Sequence, residues 1–201
     1  CVTYSTITTG LSSFYTPRFA TINNRLWIVN GSTYPYVWDT TTGWYLDGTN
    51  NHPTAPKGKY IAYWKSRVFL ANTPTEPSSV YFSQLTDTDG TVLDPAVSTT
   101  AWASSLNVLY INRGDGSPIY GEKLYRDNLY IFKETGVNRI VFESEYSIQI
   151  GKNVTTIGSK FNDAIVETDD GLLRYPGRDG LYAFNGVTAS KISTKWTNLY
   201  K

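Results

Sequence analysis

RLWIVNGSTYPYVWD, residues 25–39, contains an apolar run, an Asn-Gly pair, a polar turn and a second apolar run that ends in Trp-Asp. Two short apolar runs separated by such a turn signal are typical of a β-hairpin. The Asn-Gly pair supplies the positive φ that a tight connection needs. This stretch therefore predicts two adjacent antiparallel strands, and the rest of the chain shows whether the hairpin is isolated or repeated.

The first half of this pattern recurs three more times along the chain. Each copy has a polar pair, an apolar run of four to six residues and a turn signal. The four copies are NNRLWIVNG (23–31), KSRVFLANT (65–73), RDNLYIFKE (126–134) and DDGLLRYPG (169–177). Their equivalent apolar residues are 42, 61 and 43 residues apart, and these residues are Leu26, Val68, Leu129 and Leu172. A polar insertion at residues 86–105 explains the longer middle interval.

Further β-like runs flank each copy. The upstream runs are FYTPRFATI, GKYIAYW, IYGEKLY and FNDAIVET. The downstream runs are YPYVWD, SVYFSQL, NRIVFES and GLYAFNG, and weaker fourth runs follow in GWYLDG, NVLYIN, YSIQIGK and ASKIS. Four short strands in about 40–45 residues is the pattern of a β-propeller blade. An α/β fold is not expected, because no long segment has apolar residues at helical spacing.

We therefore predict an all-β chain that forms a single β-propeller domain of about four four-stranded antiparallel blades, with five or more blades as an alternative. The expected blades span residues 14–50, 57–112, 117–152 and 157–194. An irregular β-sandwich is the alternative fold, since its strands also recur every 8–12 residues. The N-terminal VTYSTITTGL would be a strand of a preceding blade or the strand that closes the ring. Because the chain contains no methionine, we expect a processed product or a segment of a longer chain.

Composition restricts the classes of function. The 16 Tyr, 6 Trp and 8 Phe favour strands. Lys and Arg total 18 against 17 Asp and Glu, so we expect no nucleic-acid partner. No apolar run is long enough to cross a membrane as a helix, so we expect no membrane partner. With Cys1 and His52 as the only cysteine and histidine, a Cys/His zinc cluster is excluded. One local basic cluster would face both ways on alternating strand positions, and it consists of Lys123, Arg126, Lys133 and Arg139.

The ordered succession of motifs resembles the β-propeller structural proteins of tailed bacteriophage virions, such as tail-hub, nozzle and stabilisation proteins. The motifs are PRFATINNRLWIVNG…PYVWD…GWYLDG, KYIAYWKSRVFLAN…VYFSQLTD, LYRDNLYIFKETGVNRI and DGLLRYPGRDGLYAFNG. The resemblance covers residues 16–193, although the chain is shorter than most such proteins. It implies a non-enzymatic component of the tail, neck or hub of the virion, without a cofactor. Its expected partners are other virion proteins and copies of itself in a ring, contacted through blade rims and residues 86–118.

Four aromatic residues of the first repeat are candidate binding residues. Tyr34, Tyr36, Trp38 and Trp44 cluster in sequence, and aromatic side chains of this kind stack on sugar rings or anchor protein partners. The interpretation that we favour is that most of them fill the space between blades. The exposed alternative predicts a carbohydrate- or receptor-binding propeller.

The one weak metal candidate is DTDGTVLD, in which Asp87, Asp89 and Asp94 surround Gly90. A calcium ion needs several oxygens at about 2.4 Å. The residue two before Asp87 is Leu85 rather than an acid, and the spacing after Gly90 is one residue too long. We therefore expect a solvated insertion and no bound metal.

The remaining candidate for catalysis is a pair of acids in FESEYS. Glycoside hydrolysis by two carboxylates needs two acids about 5–9 Å apart beside an aromatic ring that stacks on the sugar. Glu143 and Glu145 would lie on one face of a strand. Two acids at this spacing are more often part of a solvated face. A Ser-His-Asp triad would have to use His52, which lies in a polar loop. We predict no catalytic residue and no enzymatic activity.

Overall fold

The computed structural model describes residues 15–39, 43–44, 54–86, 88–102, 107–144 and 147–194. These residues form sixteen β-strands and two short 3₁₀ helices, Thr100–Trp102 and Asn162–Ala164. The strands make four antiparallel sheets of four strands each, and within each sheet the strands pair in chain order. The predicted all-β class is confirmed. None of the helices in the described part of the chain is long and apolar enough to cross a membrane.

The first two sheets come from the first half of the chain. Sheet one contains β1 (Arg18–Ile22), β2 (Arg25–Val29), β3 (Tyr36–Asp39) and β4 (Gly43–Trp44). Sheet two contains β5 (Tyr60–Trp64), β6 (Arg67–Ala71), β7 (Ser79–Phe82) and β8 (Val108–Tyr110). The opening stretch is the β2–β3 hairpin of sheet one, with Leu26 opposite Trp38 and Trp27 opposite Val37.

The other two sheets follow in the second half. Sheet three contains β9 (Ile119–Tyr125), β10 (Asn128–Lys133), β11 (Gly136–Phe142) and β12 (Ile148–Thr155). Sheet four contains β13 (Val166–Glu167), β14 (Leu173–Gly177), β15 (Gly180–Phe184) and β16 (Ala189–Lys191). Each of the sixteen β-like runs predicted from the sequence therefore contains a strand.

Three hairpins have two-residue turns in which both residues have positive φ although neither is glycine. These turns are Asn23-Asn24 (51° and 60°), Lys65-Ser66 (48° and 60°) and Arg126-Asp127 (47° and 54°). They connect the first two strands of sheets one, two and three. Two positive φ values match the turn type that suits the twist of paired strands. The sequence pattern identified turns that contain glycine, such as Asn30-Gly31, but did not recognise the polar pair of the first three repeats as a tight turn.

The chain divides into two compact units. The first comprises residues 1–74 and 82–107, and the second comprises residues 75–81 and 108–201. The core of the first unit joins sheet one to sheet two: Trp27, Val29 and Val37 pack in one cluster with Val68 and Leu70.

Residues from the insertion at 86–105 complete the core of the first unit. Ala96, Ala101 and Trp102 belong to the same buried cluster as the strand residues. The Trp102 indole N–H also donates a hydrogen bond to the Pro95 carbonyl oxygen at 2.9 Å. The expectation of a solvated insertion was therefore wrong for these residues: polar residues surround a few apolar ones, which cover the core.

The core of the second unit is mainly aromatic. Tyr130 of sheet three meets Phe184 of sheet four edge-on with ring centroids 5.2 Å apart, and Phe132 meets Tyr175 in the same way at 5.3 Å. The Tyr130 and Tyr175 hydroxyls donate to the carbonyl oxygens of Gly186 at 3.0 Å and Ile157 at 2.9 Å. Burial raises the pKa of both tyrosines. These rings therefore fill the core and also fix loops through hydrogen bonds.

Candidate functional site

Lys133, the last residue of β10, is a fully buried lysine in the second unit. Its Nζ donates to Asp115 Oδ1 at 2.6 Å and to the carbonyl oxygens of Ile111 at 2.9 Å and Asn112 at 3.2 Å. A fourth contact joins it to Ser78 Oγ at 3.3 Å. We call these five residues the lysine clasp. It ties β10 to residue 78 and to the loop that follows β8.

Asp115 is the charged partner within the lysine clasp. Its carboxylate also accepts hydrogen bonds from Thr135 Oγ1 at 2.7 Å and from the Ser117 backbone N–H at 3.0 Å. Burial acts to raise the pKa of the Asp115 carboxyl, but the hydrogen bonds from Lys133, Thr135 and Ser117 outweigh it and hold the pKa below its ordinary value. The Asp115 carboxyl is therefore ionised at neutral pH, where it pairs with Lys133. The four contacts of Lys133 Nζ hold the connected segments together.

The other members of the basic cluster do not join Lys133. Lys123 and Arg139 lie on either side of Tyr130 in the strand register, so they share the face of sheet three opposite to Lys133. Arg126 lies in the β9–β10 turn and donates to the carbonyl oxygens of Gly171 at 2.9 Å and Asn185 at 3.1 Å. The cluster divides as expected from strand alternation, but nothing in the sequence pattern showed that Lys133 would be buried.

A buried carboxyl without a hydrogen-bond partner lies on the same face as Lys133. Glu122 of β9 and Asn138 of β11 stand on either side of Ile131 in the register. Both Glu122 oxygens and Asn138 Nδ2 are buried and lack a partner among the described residues. Burial raises the pKa of Glu122 well above its ordinary value. The carboxyl is therefore held in its neutral form well above the pH at which an exposed glutamate ionises.

The predicted aromatic residues fall into two places in the first unit. Tyr34 is exposed in the β2–β3 loop, where the Lys57 ammonium lies 4.6 Å from its ring centroid. Tyr36 and Trp38 alternate with Val37 along β3, so both lie on the face of sheet one opposite to Trp27 and Val37. Tyr36 is buried and Trp38 is half-buried. Trp44 is opposite Trp38 in the register, and its side chain lies outside the described ones.

Three residues of β1 and β2 complete this surface. Phe19 is opposite Ile28, which is opposite Tyr36, and Leu26 is opposite Trp38. We call the five side chains the aromatic face, comprising Phe19, Leu26, Ile28, Tyr36 and Trp38. Phe19 is its most exposed member, at 61%. The sequence pattern named Tyr36 and Trp38 but missed Phe19, because only the pairing register places it beside them.

The weak metal candidate does not gather its acids in the described residues. Asp89 is exposed and accepts a hydrogen bond from the Thr91 backbone N–H at 2.9 Å, which lowers its pKa. Asp94 pairs with Arg25 and accepts from the Ala96 backbone N–H at 3.0 Å. Asp87 lies outside the described residues. Within the described ranges, no group of three Asp, Glu, His or Cys side chains is close enough to hold a metal ion.

The carboxylate pair proposed for glycoside hydrolysis is described only in part. Glu143 lies in the bend after β11 rather than on a strand, and it accepts a hydrogen bond from Gln149 Nε2 at 2.7 Å. The expected placement on a strand was wrong for this residue, because β11 ends at Phe142. Glu145 and His52 lie outside the described residues.

No protein-family model matches the chain, and no curated protein matches it significantly. A functional assignment therefore depends on the repeated sheets, the lysine clasp and the aromatic face.

Proposed function

We propose that the four sheets are blades of a β-propeller and that the chain is a non-enzymatic structural component of a tailed-phage virion. In this role it contacts other virion proteins through surfaces held rigidly by the sheets. The observation that carries the proposal is the fourfold repetition of a four-stranded sheet whose strands pair in chain order. Regular repetition of this kind is how propellers are built.

The buried polar contacts support a scaffold role. The lysine clasp fixes a loop and residue 78 to sheet three, and the Tyr130 and Tyr175 hydroxyls fix two further loops. Each contact restricts a connection between strands, where backbones are otherwise most mobile. A protein that works by presenting a fixed surface benefits from such restriction.

The direct test is to purify virions of a phage that encodes this chain and to analyse them by mass spectrometry and immunogold electron microscopy. We expect the chain in banded particles at a constant copy number, with gold at the tail or neck. As a control, a non-structural protein of the same phage should be absent from the banded particles. Recovery of the chain only from the soluble lysate would contradict the virion assignment.

The exposed part of the aromatic face supports a second candidate function, carbohydrate or receptor binding. Phe19 is exposed and Trp38 half-buried, and such rings can stack on a sugar. A glycan array with the wild-type protein and a Trp38→Ala variant tests this function. Binding that Trp38→Ala removes and Phe161→Ala retains would support it. The absence of any bound glycan on the array would contradict it.

A further inference from the structure

The chain contains two Asn-Gly pairs, Asn30-Gly31 and Asn185-Gly186, and each follows directly after a strand. In such a pair the backbone nitrogen of glycine can attack the side-chain amide carbon of asparagine, because glycine has no Cβ to obstruct the approach. The attack expels ammonia and, after hydrolysis, leaves aspartate or isoaspartate. Whether a pair reacts in a folded protein depends on what surrounds its nitrogen and its side chain.

The two asparagine side chains are held in the same way. Asn30 Oδ1 accepts from the backbone N–H groups two and three residues later, at 2.9 and 3.0 Å. Asn185 Oδ1 accepts from the equivalent groups at 2.9 and 2.8 Å. Such donors stabilise the negative charge that develops on the oxygen when the amide carbon is attacked. Because both pairs have these donors, any difference in their reactivity must come from elsewhere.

The attacking nitrogens of the two pairs differ. The Gly31 backbone N–H donates to the Gly58 carbonyl oxygen at 3.0 Å, and a Cβ on Gly31 would lie only 2.9 Å from Lys59 Cβ. Attack by this nitrogen would break the hydrogen bond in a turn that has little room to rotate. In the described part of the chain, no hydrogen bond joins the Gly186 N–H to an acceptor. The Gly186 nitrogen therefore attacks without the loss of a backbone hydrogen bond.

Access to water also differs between the two side chains. Asn30 is only 1% exposed, whereas Asn185 is exposed. The reaction needs hydroxide to remove the proton from the glycine nitrogen and water to protonate the leaving amide nitrogen. Burial of Asn30 obstructs both steps, and exposure of Asn185 permits them.

We propose that Asn185 deamidates spontaneously in the folded protein, whereas the fold protects Asn30. Hydroxide removes the proton from the Gly186 nitrogen, which then forms a bond to Asn185 Cγ. The bond from Cγ to Nδ2 breaks, and Nδ2 leaves as ammonia after it takes a proton from water. Water opens the resulting cyclic imide on one side to give aspartate and on the other side to give isoaspartate. The proposal does not rest on the virion role.

The modification would alter a contact between sheets three and four. The Gly186 carbonyl oxygen accepts from the Tyr130 hydroxyl at 3.0 Å, and the Asn185 carbonyl oxygen accepts from Arg126 at 3.1 Å. In isoaspartate the main chain runs through Cβ and Cγ of residue 185, and its former main-chain carbonyl becomes a free carboxylate. Gly186 is therefore displaced from Tyr130, while Arg126 gains an anionic partner.

Peptide mapping by mass spectrometry tests the proposal on the purified full chain, incubated at neutral and at mildly alkaline pH. The conversion of amide to carboxylate is quantified separately in the peptides that contain Asn30 and Asn185, and an isoaspartyl methyltransferase detects isoaspartate. We expect Asn185 to react at least about tenfold faster than Asn30, because one hydrogen bond that must break corresponds to about that factor in rate. The rate at Asn185 should increase with hydroxide concentration.

The same chain unfolded in guanidinium chloride is the matched control, since both pairs keep their sequence and lose their surroundings. The two asparagines should then react at similar rates. Equal rates at Asn30 and Asn185 in the folded chain would overturn the proposal. Asn185 that reacts in the unfolded chain but stays intact in the folded one would overturn it too. A preference for Asn185 that is as large in the unfolded chain would refute protection of Asn30 by the fold.

Discussion

Replacing Lys133 with methionine should destabilise the protein strongly. Methionine retains most of the apolar stem but removes the ammonium that bonds to Asp115, Ile111 and Asn112. Two carbonyl oxygens then lose a donor, and the carboxylate loses its counter-ion. Removing one partner of a buried ion pair costs about 3–5 kcal/mol. Since domains are stable by about 5–15 kcal/mol, the loss is a large fraction of the total.

The measurement is the free energy of unfolding from urea titration, followed by tryptophan fluorescence and far-ultraviolet circular dichroism. Lys160→Met is the matched control: its Nζ lies 3.0 Å from Glu134 Oε1, but 47% of the side chain is exposed. We expect no measurable change there, because solvent screens such pairs. Adding Asp115→Asn to Lys133→Met should cost less than the two single changes combined. A loss below about 1 kcal/mol for Lys133→Met would refute the claim that the clasp stabilises the fold.

Three further substitutions test other parts of the structure. Because the pKa of Glu122 is raised in the folded state, the contribution of Glu122 to the free energy of unfolding is full below pH 4.5 and is lost as pH rises through the folded-state pKa. Glu122→Gln should therefore become increasingly more stable than the wild type above pH 4.5. A difference in urea titrations that does not change with pH would contradict this. Ser66→Gly should stabilise the protein by about 0.5–1 kcal/mol, since φ is 60° at Ser66 and glycine adopts this left-handed conformation without strain. Asn24→Gly should stabilise it less, because asparagine tolerates the same conformation. Equal shifts in melting temperature would argue against backbone strain at Ser66. Trp102→Ala should cost about 3–5 kcal/mol in urea titrations by leaving a cavity, and an unchanged midpoint would show that the insertion does not support the core.

The strands could be predicted from the sequence because their signals are local. The runs in RLWIVNGSTYPYVWD and its repeats combine β-branched and aromatic residues with turn signals, and each run contains a strand. The order of strands within a sheet also follows from locality, since short connections join neighbours.

The candidate site depended on contacts between distant residues, which no local pattern contains. Asp94 pairs with Arg25, 69 residues away in the sequence, so the acid judged as a metal ligand instead balances an arginine. Lys133 reaches Ser78 across 55 residues. The sequence placed Trp102 in a polar insertion, whereas in the structure it packs in the buried cluster of the first unit. In each case the side chain's role is set by a partner that the sequence pattern did not identify.

The lysine clasp also determines how the chain can be shortened. Residues 75–81 belong with residues 108–201, although residues 82–107 of the first unit separate them along the chain. Besides Ser78 Oγ, this short segment supplies two backbone acceptors. The Ser78 carbonyl oxygen accepts from the Ile111 backbone N–H, and the Pro77 carbonyl oxygen accepts from the Ile119 backbone N–H, both at 2.8 Å. A truncation that begins at residue 108 would therefore remove these two backbone hydrogen bonds and the Ser78 hydroxyl that contacts the buried Lys133 ammonium. The two units are interleaved along the chain, so no single cut yields both intact. During synthesis, the contact between Ser78 and Lys133 cannot form until β10 has been made.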